Sequence, residues 1–319
     1  MDLGLRRRRA HLQLLLLPTL LLLAAGDAAA AWKERAPKLR FRRDSGKFKV
    51  VQVSDMHYAD GRSTACQDVL PSQEEGCSDL DTTAFLYRVF RAEDPDLVVF
   101  TGDIINGVDA SDAAKSMDAA IAPAIDMKLP WAAVLGNHDQ EVNGYGWIKH
   151  SQQIWFHQTS SNLQTKYMNH YPKQNEPAPG MAFFHIPLPE FSSFTANNFT
   201  GVKQEEINSP SINSGFFSTM VEAGDVKAAF VGHDHLNDFC GKLNGIHLCY
   251  GGGSGYHAYG KAGWSRRARV ISVQLEKTYG RQWRGVKSIK TWKRADYVHL
   301  TTIDSEVLWN RGSNEIYEI

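Results

Sequence analysis

The sequence predicts an α/β domain built as a sandwich, in which helices cover two mixed sheets. Apolar runs rich in β-branched and aromatic residues recur along the chain, and helical patterns separate most of them. The last two runs follow one another without an intervening helix. With 319 residues, 43% of them hydrophobic, the chain is long and apolar enough to bury a core of this kind.

The individual elements follow from these patterns in chain order. Buried strands are expected at Phe48–Val53, Leu97–Thr101, Trp131–Leu135, Met181–His185, Ala228–Val231 and Ile246–Tyr250. Helices are expected at Thr82–Ala92, Ala113–Met127, Trp147–Met168 and Gly215–Ala223, with Ser214 as the cap of the last one. Two later strands, Arg269–Leu275 and Gly285–Thr291, are expected to form a mixed second sheet because no helix separates them.

The chain begins with a pattern typical of a secretory signal peptide, which we place at residues 1–31. A basic stretch, Arg6–Arg9, precedes a leucine-rich core, Leu14–Leu23, and a run of small residues, Ala28–Ala31. The alternative is a retained membrane anchor, which the short apolar core disfavours because a span needs about 20 residues. After this leader we expect one domain at 45–300 and a C-terminal tail at 301–319.

Charge and cysteine content narrow the class of protein further. The 35 basic residues equal the 35 acidic ones, so nothing indicates binding to nucleic acid, and a small or locally charged substrate is expected. The four cysteines form two close pairs, Cys66 with Cys77 and Cys240 with Cys249, and local disulfides are the simplest pairing in a secreted chain. Metal binding by these thiols is the disfavoured alternative, since the spacing is not CxxC. Asn198 begins an N-glycosylation sequon.

Metal-ligating residue types stand at the ends of five predicted strands. Because ligands bind at the carboxyl ends of strands in open α/β sheets, we expect these residues to converge on one crevice. The candidate ligands are Asp55, His57, Asp103, Asn137, His185, His233 and His235. Gly102, Gly136 and Gly232 each directly precede one of them, as a tight turn beside an ion requires.

The mixture of imidazole and oxygen donors suits iron, zinc or manganese better than calcium. Two ions about 3.5–4 Å apart need a bridging ligand, and a carboxylate is the natural bridge. Asp103 is the candidate for this role. Asp55, His57 and one of the two terminal histidines, His233 or His235, then complete the first metal site. The other terminal histidine joins Asn137 and His185 at the second.

Taken in order, the motifs Asp-x-His, Gly-Asp, Gly-Asn-His-Asp, a single His and Gly-His-x-His resemble those of the calcineurin-like metallophosphoesterase superfamily. The resemblance covers roughly residues 47–300. Within the superfamily the chain resembles the short single-domain plant purple acid phosphatases, with further matching stretches at Phe183–Glu190 and Cys249–Gly253.

This resemblance implies the calcineurin-like sandwich of two mixed sheets and the hydrolysis of a small phosphoester by a metal-bound hydroxide. Iron paired with zinc or manganese is the implied metal content. His138 matches the residue that stabilises the transition state or protonates the leaving oxygen, and Asp139 is expected to orient it. The signal peptide predicts secretion to the extracellular space or apoplast, with the vacuole as the alternative, and no stable membrane anchor.

Two departures from the family pattern affect the expected activity. Purple members have a metal-binding tyrosine in a Gly-Asp-x-x-Tyr motif, where this chain has Asn106, so no purple colour is expected. The chain is also shorter than the family pattern after Asp139, which would remove a core strand and expose the edges of neighbouring strands. The alternatives to a phosphatase are therefore an inactive secreted member of the family and a phosphodiesterase or nucleotidase.

Overall fold

The computed structural model describes residues 39–141, 178–195, 198–278, 283–297 and 299–312. The chain divides into two units, Met1–Leu39 and Arg40–Ile319, and all described residues except Leu39 belong to the second. The predicted helix at Trp147–Met168 and the predicted signal peptide lie outside the described residues.

Helices and strands alternate through the first half of the described chain, and strands dominate the second half. The helices are α1 (Pro71–Glu74), α2 (Asp79–Glu93), α3 (Ala113–Asp126) and α4 (Phe216–Ala223). The strands are β1 (Lys47–Val53), β2 (Leu97–Thr101), β3 (Trp131–Val134), β4 (Gly180–Phe183), β5 (Phe199–Thr200), β6 (Val226–Val231), β7 (Cys240–Leu243), β8 (Ile246–Tyr250), β9 (Arg267–Lys277), β10 (Trp283–Asp296) and β11 (Leu300–Asn310).

Two sheets form from these strands. The first has six strands in the order β11-β10-β9-β1-β2-β3, and β1, β2 and β3 run parallel whereas β9, β10 and β11 are antiparallel to their neighbours. The second has five strands in the order β4-β6-β8-β7-β5, of which β4, β6 and β8 are parallel. Both sheets are therefore mixed, as predicted.

Burial shows how the sheets and helices are layered. Val51, Val53 and Phe100 on the first sheet pack with Phe85 and Phe90 of α2 in one cluster of fully buried side chains. A second cluster joins the second sheet to α4. A third contains inward-facing residues of both sheets, including Val50, Val99 and Ile271 from the first and Ala228 and Phe230 from the second. Alternate residues of β1 thus face opposite layers, which is the period-2 pattern of a strand in a sandwich core.

The helix ends are set by local capping. Ser78 caps α2, where its side chain accepts a hydrogen bond from the backbone N–H of Leu80, and Asp112 caps α3 by accepting from Lys115. The prediction that Ser214 caps the last helix was wrong. The cap of α4 is Gly215, whose φ of 73° is open to glycine at little cost.

The placement of the later strands differs from the prediction. β9 and β10 do not form the second sheet, because β9 pairs with β1 along its length and extends the first sheet. Strand β11 occupies much of the range 301–319 that was assigned to a C-terminal tail. It pairs antiparallel with β10 and forms the edge of the first sheet, so the folded domain extends past residue 300.

The prediction that Trp131–Leu135 is a buried strand was also wrong. Among the strands that the structure describes, β3 is the other edge of the first sheet, and its residues Trp131, Ala132 and Ala133 are exposed. Trp131 and Leu135 each keep 43% of their surface accessible. An apolar edge strand of this kind is unusual in a soluble domain, since edges are commonly protected by charge or cover.

Both predicted disulfides are present. Cys66 bonds to Cys77 in the loop before α2, and Cys240 bonds to Cys249 across the neighbouring strands β7 and β8. Within the described residues, no helix is both long and apolar enough to cross a membrane.

Candidate metal centre

Two groups of side chains at the carboxyl ends of the parallel strands present atoms that could hold a metal ion, and Asp103 belongs to both. The first group is Asp55, His57, Asp103 and His235. The second is Asp103, His185 and His233. In each group the candidate ligand atoms lie within 4.8 Å of one another. Strands from both sheets supply these residues, so the five strand ends meet as the sequence predicted.

In the first group the nitrogen atoms of two imidazoles point toward each other. His57 Nε2 lies 3.1 Å from His235 Nε2 and 3.5 Å from Asp103 Oδ2. His235 Nε2 is 3.8 Å from Asp55 Oδ1. Each of the four side chains is buried, so these atoms meet away from bulk solvent.

In the second group His185 is the central residue. Its Nε2 lies 3.1 Å from Asp103 Oδ2, 3.3 Å from His233 Nδ1 and 3.2 Å from Asn137 Oδ1. Asn137 is therefore brought to the second group, as predicted. The two terminal histidines, between which the sequence left the choice open, lie in different groups of side chains: His235 in the first and His233 in the second.

The turns that carry these ligands adopt conformations that L-residues rarely occupy. Asp55, His57, Asp103 and His233 have φ values of 53°, 47°, 47° and 80°. Non-glycine residues in this region cost about 1–3 kcal/mol each and cluster at functional sites, where surrounding structure maintains them. Here the turns support one another, because the N–H of Asp55 donates to the Gly102 carbonyl and the N–H of His57 donates to the Asp103 carbonyl.

The predicted glycines are required by close approach. A Cβ on Gly136 would lie 2.1 Å from Asp103 Oδ1, and one on Gly102 would lie 2.4 Å from the His185 ring. A Cβ on Gly232 would lie 2.8 Å from Asp55 Oδ2. Each distance is below any normal contact, so a larger residue would displace a candidate ligand.

Burial and charge set the protonation of the candidate ligands. Burial lowers the pKa of His57 to about 3, which leaves its imidazole neutral and able to bind a cation. Burial alone would also lower the pKa of His185, but Asp103 and Asp55 raise it to about 9. Burial by itself raises the pKa of Asp103, yet His185 and His57 hold it below its usual value. Burial thus keeps His57 neutral, whereas the carboxylates of Asp103 and Asp55 stabilise positive charge at His185.

Asp55 provides a direct test of whether the residues fit a metal. Its Oδ1 accepts a hydrogen bond from the backbone N–H of His233, whereas its Oδ2 is buried without a hydrogen-bond partner. A buried carboxylate oxygen without a partner costs several kcal/mol unless a cation or donor satisfies it. Together with the neutral His57, this oxygen makes the first group suited to a metal ion, and the mixed oxygen and imidazole donors suit a transition metal.

His138 and Asp139 lie beside the two groups, but their contacts differ from the expected ones. The His138 ring is 4.7 Å from the His57 ring, and its backbone N–H donates to Asp103 Oδ1 at 2.8 Å. The recorded contacts of Asp139 are with the backbone N–H groups of Ile105 and Gly136, both at 2.8 Å. Asp139 therefore holds the turns together, and its role in orienting the His138 ring stays a prediction.

Sequence reasoning missed several residues that support the centre. Glu141 Oε2 lies 2.9 Å from His138 Nδ1, a pairing that the i,i+3 spacing could have indicated. Gln52 is fully buried beneath the centre, where its Nε2 donates to Thr101 Oγ1 and to the Val231 carbonyl, and so links the two sheets. Tyr259 stacks on His235. Nothing in the local sequence distinguishes the roles of Gln52 and Tyr259, because both depend on contacts between distant segments.

Asn106 does not take the place of a metal-binding tyrosine. Its side-chain Nδ2 donates to Asp109 Oδ2 at 2.6 Å, and its Oδ1 accepts from the N–H groups of Val108 and Asp109. The side chain therefore stabilises its own turn, and His57 supplies the remaining donor of the first group.

Comparisons with known proteins agree with this geometry. A family model described as calcineurin-like phosphoesterase matches residues 48–237. "Probable inactive purple acid phosphatase 29" of Arabidopsis thaliana is 47% identical over 385 residues, covering 98% of each chain. "Probable inactive purple acid phosphatase 14" of the same plant is 42% identical, covering 86% of this chain and 87% of its own. Because 385 aligned residues exceed the 319 of this chain, the relative carries residues that this chain lacks, which agrees with an internal shortening.

Among solved structures, the purple acid phosphatase PPD1 of yellow lupin (Lupinus luteus) has a TM-score of 0.50 at 15% sequence identity. The match covers 84% of this chain and 54% of that one, and at this identity it supports the fold alone. The family model and the plant relatives carry the assignment. The chain belongs to the calcineurin-like phosphoesterase family and, within it, to the plant purple acid phosphatase group.

Proposed function

We propose that this protein hydrolyses phosphoesters at a centre that holds two metal ions. The observation that carries the proposal is the position of Asp103, whose carboxylate is common to both groups of candidate ligands. A shared carboxylate is what a pair of closely spaced ions requires. A small phosphoester is the proposed substrate.

The proposed ligands of the first ion are Asp55, His57, His235 and the shared Asp103; those of the second are Asn137, His185, His233 and the same Asp103. Iron with zinc or manganese suits these donors. When bound, such a pair lowers the pKa of water and neutralises charge that develops on phosphoryl oxygens. The protein's part is to keep the donors aligned, which the turns described above do.

His138 is the proposed proton donor to the leaving oxygen. Of its side chain, 35% is exposed, so it can reach a substrate, whereas the neighbouring candidate ligands Asp55, His57 and Asp103 are buried. Its Nδ1 lies 2.9 Å from Glu141 Oε2 without the geometry of a hydrogen bond, and we assign Nε2 as the nitrogen that gives a proton to the leaving group. Asp139 supports this arrangement by fixing the turn from which His138 projects.

The same proposal includes secretion. The two disulfides are of the kind that forms in an oxidising compartment, which agrees with a secreted or vacuolar protein. Asn198 is exposed, as glycosylation of its sequon requires. The signal peptide at 1–31 belongs to the proposal too.

The competing proposal is a family member without activity. The plant relatives named above are called probably inactive, and this chain shares 47% and 42% of aligned residues with them. The exposure of β3 also agrees with the loss of the segment after Asp139, which would have covered this edge of the first sheet. Against this, every candidate ligand is present and the described residues bring them together.

The two proposals are separated by metal analysis and hydrolysis assays on the purified mature chain. Zinc, iron and manganese would be quantified, and turnover of an aryl phosphomonoester would be compared with that of the corresponding diester. His138→Ala is the test variant, and His299→Ala is the matched control, because His299 is an exposed residue between β10 and β11.

We expect two equivalents of metal in all three proteins, and a rate lower by about 10²–10⁴-fold in His138→Ala alone, the usual contribution of a general acid. Two equivalents of metal without turnover in the unmutated chain would establish the inactive alternative. Absence of bound metal would refute both the enzyme and the metal centre. Preferred turnover of the diester would identify a phosphodiesterase.

A further inference from the structure

A glycine-rich loop, Gly251–Gly260, passes directly behind the first group of candidate ligands. The N–H of Ser254 donates to the Ser54 carbonyl, the N–H of Gly255 to the Asp55 carbonyl, and the N–H of Gly253 to the His235 carbonyl. The approach is so close that a Cβ on Gly255 would lie 1.8 Å from the Met56 carbonyl oxygen. The loop is therefore part of the wall that supports these ligands.

One residue of this loop, Tyr259, contacts His235 in three ways. Its ring stacks on the imidazole with 3.7 Å between ring centroids and 15° between ring planes. Its backbone carbonyl lies 2.9 Å from His235 Nδ1, and its hydroxyl oxygen accepts a hydrogen bond from the His235 backbone N–H at 3.1 Å. The ring plane, the ring rotation and the backbone of His235 are thus all restrained by Tyr259.

The carbonyl contact also determines which nitrogen of His235 carries a proton. A carbonyl oxygen can only accept, so Nδ1 must be the protonated nitrogen. In the neutral ring this leaves the lone pair on Nε2, which lies 3.1 Å from His57 Nε2 in the interior of the first group. Tyr259 therefore presents His235 in the form that binds a cation.

Tyr259 is itself held by a carboxylate. Its hydroxyl donates to Glu205 Oε2 at 3.0 Å, and Glu205 Oε1 accepts from the backbone N–H of Leu236, the residue after His235. The hydroxyl proton goes to Glu205 while the hydroxyl oxygen accepts from His235, so both hydrogen bonds can exist at once. Glu205, Tyr259 and His235 form one connected support.

The second group is supported differently. His185 Nδ1 lies 2.9 Å from the carbonyl oxygen of Thr101, which is the last residue of β2. His233 has no recorded contact with the Gly251–Gly260 loop among the described residues, and its ring meets that of His185. A change at Tyr259 therefore acts on the first group and leaves the supports of the second in place.

We propose that Tyr259 is a positioning residue that sets the affinity of the first metal site by fixing His235, with little effect on the second. This inference rests on the proposed function, because it takes the two groups to be metal sites. Loss of an outer contact of this kind commonly reduces metal affinity by about 10–100-fold.

The test is calorimetric titration of the metal-free protein with Zn²⁺, with Tyr259→Phe and Tyr259→Leu as variants. Phenylalanine keeps the stacked ring and the carbonyl contact but removes both hydroxyl hydrogen bonds, whereas leucine also removes the stacked ring. Tyr297→Phe and Tyr297→Leu are matched controls, because Tyr297 is a half-exposed tyrosine outside this network. Circular dichroism and the melting temperature of each metal-free variant report on folding.

We expect two Zn²⁺ equivalents in the unmutated chain and the Tyr297 controls. In Tyr259→Leu one of the two affinities should fall by about 10–100-fold, and in Tyr259→Phe by a smaller factor, with the other affinity within about threefold. Should Tyr259→Leu fail to fold, Tyr259→Phe alone still decides the question. Unchanged affinities in a folded variant, or an equal fall of both, would overturn the role of Tyr259 and leave the metal centre standing. If the unmutated chain binds no Zn²⁺, the proposed function fails first.

Discussion

Replacing Gly136 by alanine adds one methyl group where the turn that carries Asn137 contacts the turn that carries Asp103. The added Cβ would lie 2.1 Å from Asp103 Oδ1 and 2.3 Å from the Asp103 backbone nitrogen, where carbon atoms normally keep about 3.5 Å from their neighbours. Asp103 would therefore have to move by more than 1 Å, roughly the shortfall in this contact. Its carboxylate would then lose the hydrogen bond from the His138 N–H.

The expected loss of stability follows from these contacts. Forcing an extra carbon into a packed site costs about 1–3 kcal/mol, and loss of a hydrogen bond to a charged group adds about 1.5–3 kcal/mol. The metal-free protein should therefore lose about 2.5–6 kcal/mol of its free energy of unfolding. This is a large part of the roughly 5–15 kcal/mol that stabilises a typical domain.

Urea unfolding of the chelator-treated protein measures that loss, and titration with Zn²⁺ measures its effect on the centre. Because Asp103 is common to both groups, binding at both should weaken together. Gly180→Ala is the control, since its added Cβ would meet the Asp225 carbonyl oxygen at an ordinary 3.7 Å. If Gly136→Ala is as stable as this control and still binds two ions tightly, the close packing of Asp103 against this turn is not needed for stability or for metal binding.

Three further changes test other parts of the structure. Burial raises the pKa of Asp79 to about 6, so the stability that its protonated form contributes is present below about pH 4 and lost as the pH rises through 6. Asp79→Asn should therefore flatten the profile of melting temperature against pH across that window. An unchanged profile would contradict the raised pKa. Asp238→Ala should lower the free energy of unfolding in urea by about 3–5 kcal/mol, because the buried cations of Arg267 and Lys293 lose this carboxylate. A decrease below about 1 kcal/mol would contradict this expectation and show that the neighbouring charges rearrange. Exposed β3 offers an apolar edge for pairing with a second copy, so we expect Trp131→Lys to sediment with a smaller oligomer fraction than the unmutated chain; equal fractions in both proteins would contradict this role of β3.

The features that the sequence predicted are those that depend on neighbours along the chain. Leu97–Thr101 and Ile246–Tyr250 were predicted with the bounds that β2 and β8 have, because short apolar runs with clear boundaries leave few alternatives. The ligand turns were predictable because Asp, His and Asn follow directly after such runs. Convergence of these turns then follows from parallel pairing in each sheet.

The features that were missed depend on pairing between distant segments. The pattern of Arg269–Leu275 identifies a strand but contains nothing about β1 as its partner, so β9 was assigned to the wrong sheet. Trp131 is of a residue type that is typical of the core. It is exposed because β3 is the last of the described strands in the first sheet, which its local sequence does not indicate. The contact between Tyr259 and His235 was likewise missed, because the sequence around either residue contains nothing about the other.

The distance along the chain between partners of the centre has a consequence for folding. His57 and His235, whose ring nitrogens meet, are 178 residues apart, and closing a loop of this length carries an entropy cost that an unfolded chain has few contacts to offset. The full donor set therefore forms only with the completed sandwich, and an ion that recognises this set binds the native state alone. Under the proposed function, the binding free energy of this ion adds to the free energy of unfolding, so metal supply governs how much of the chain stays folded.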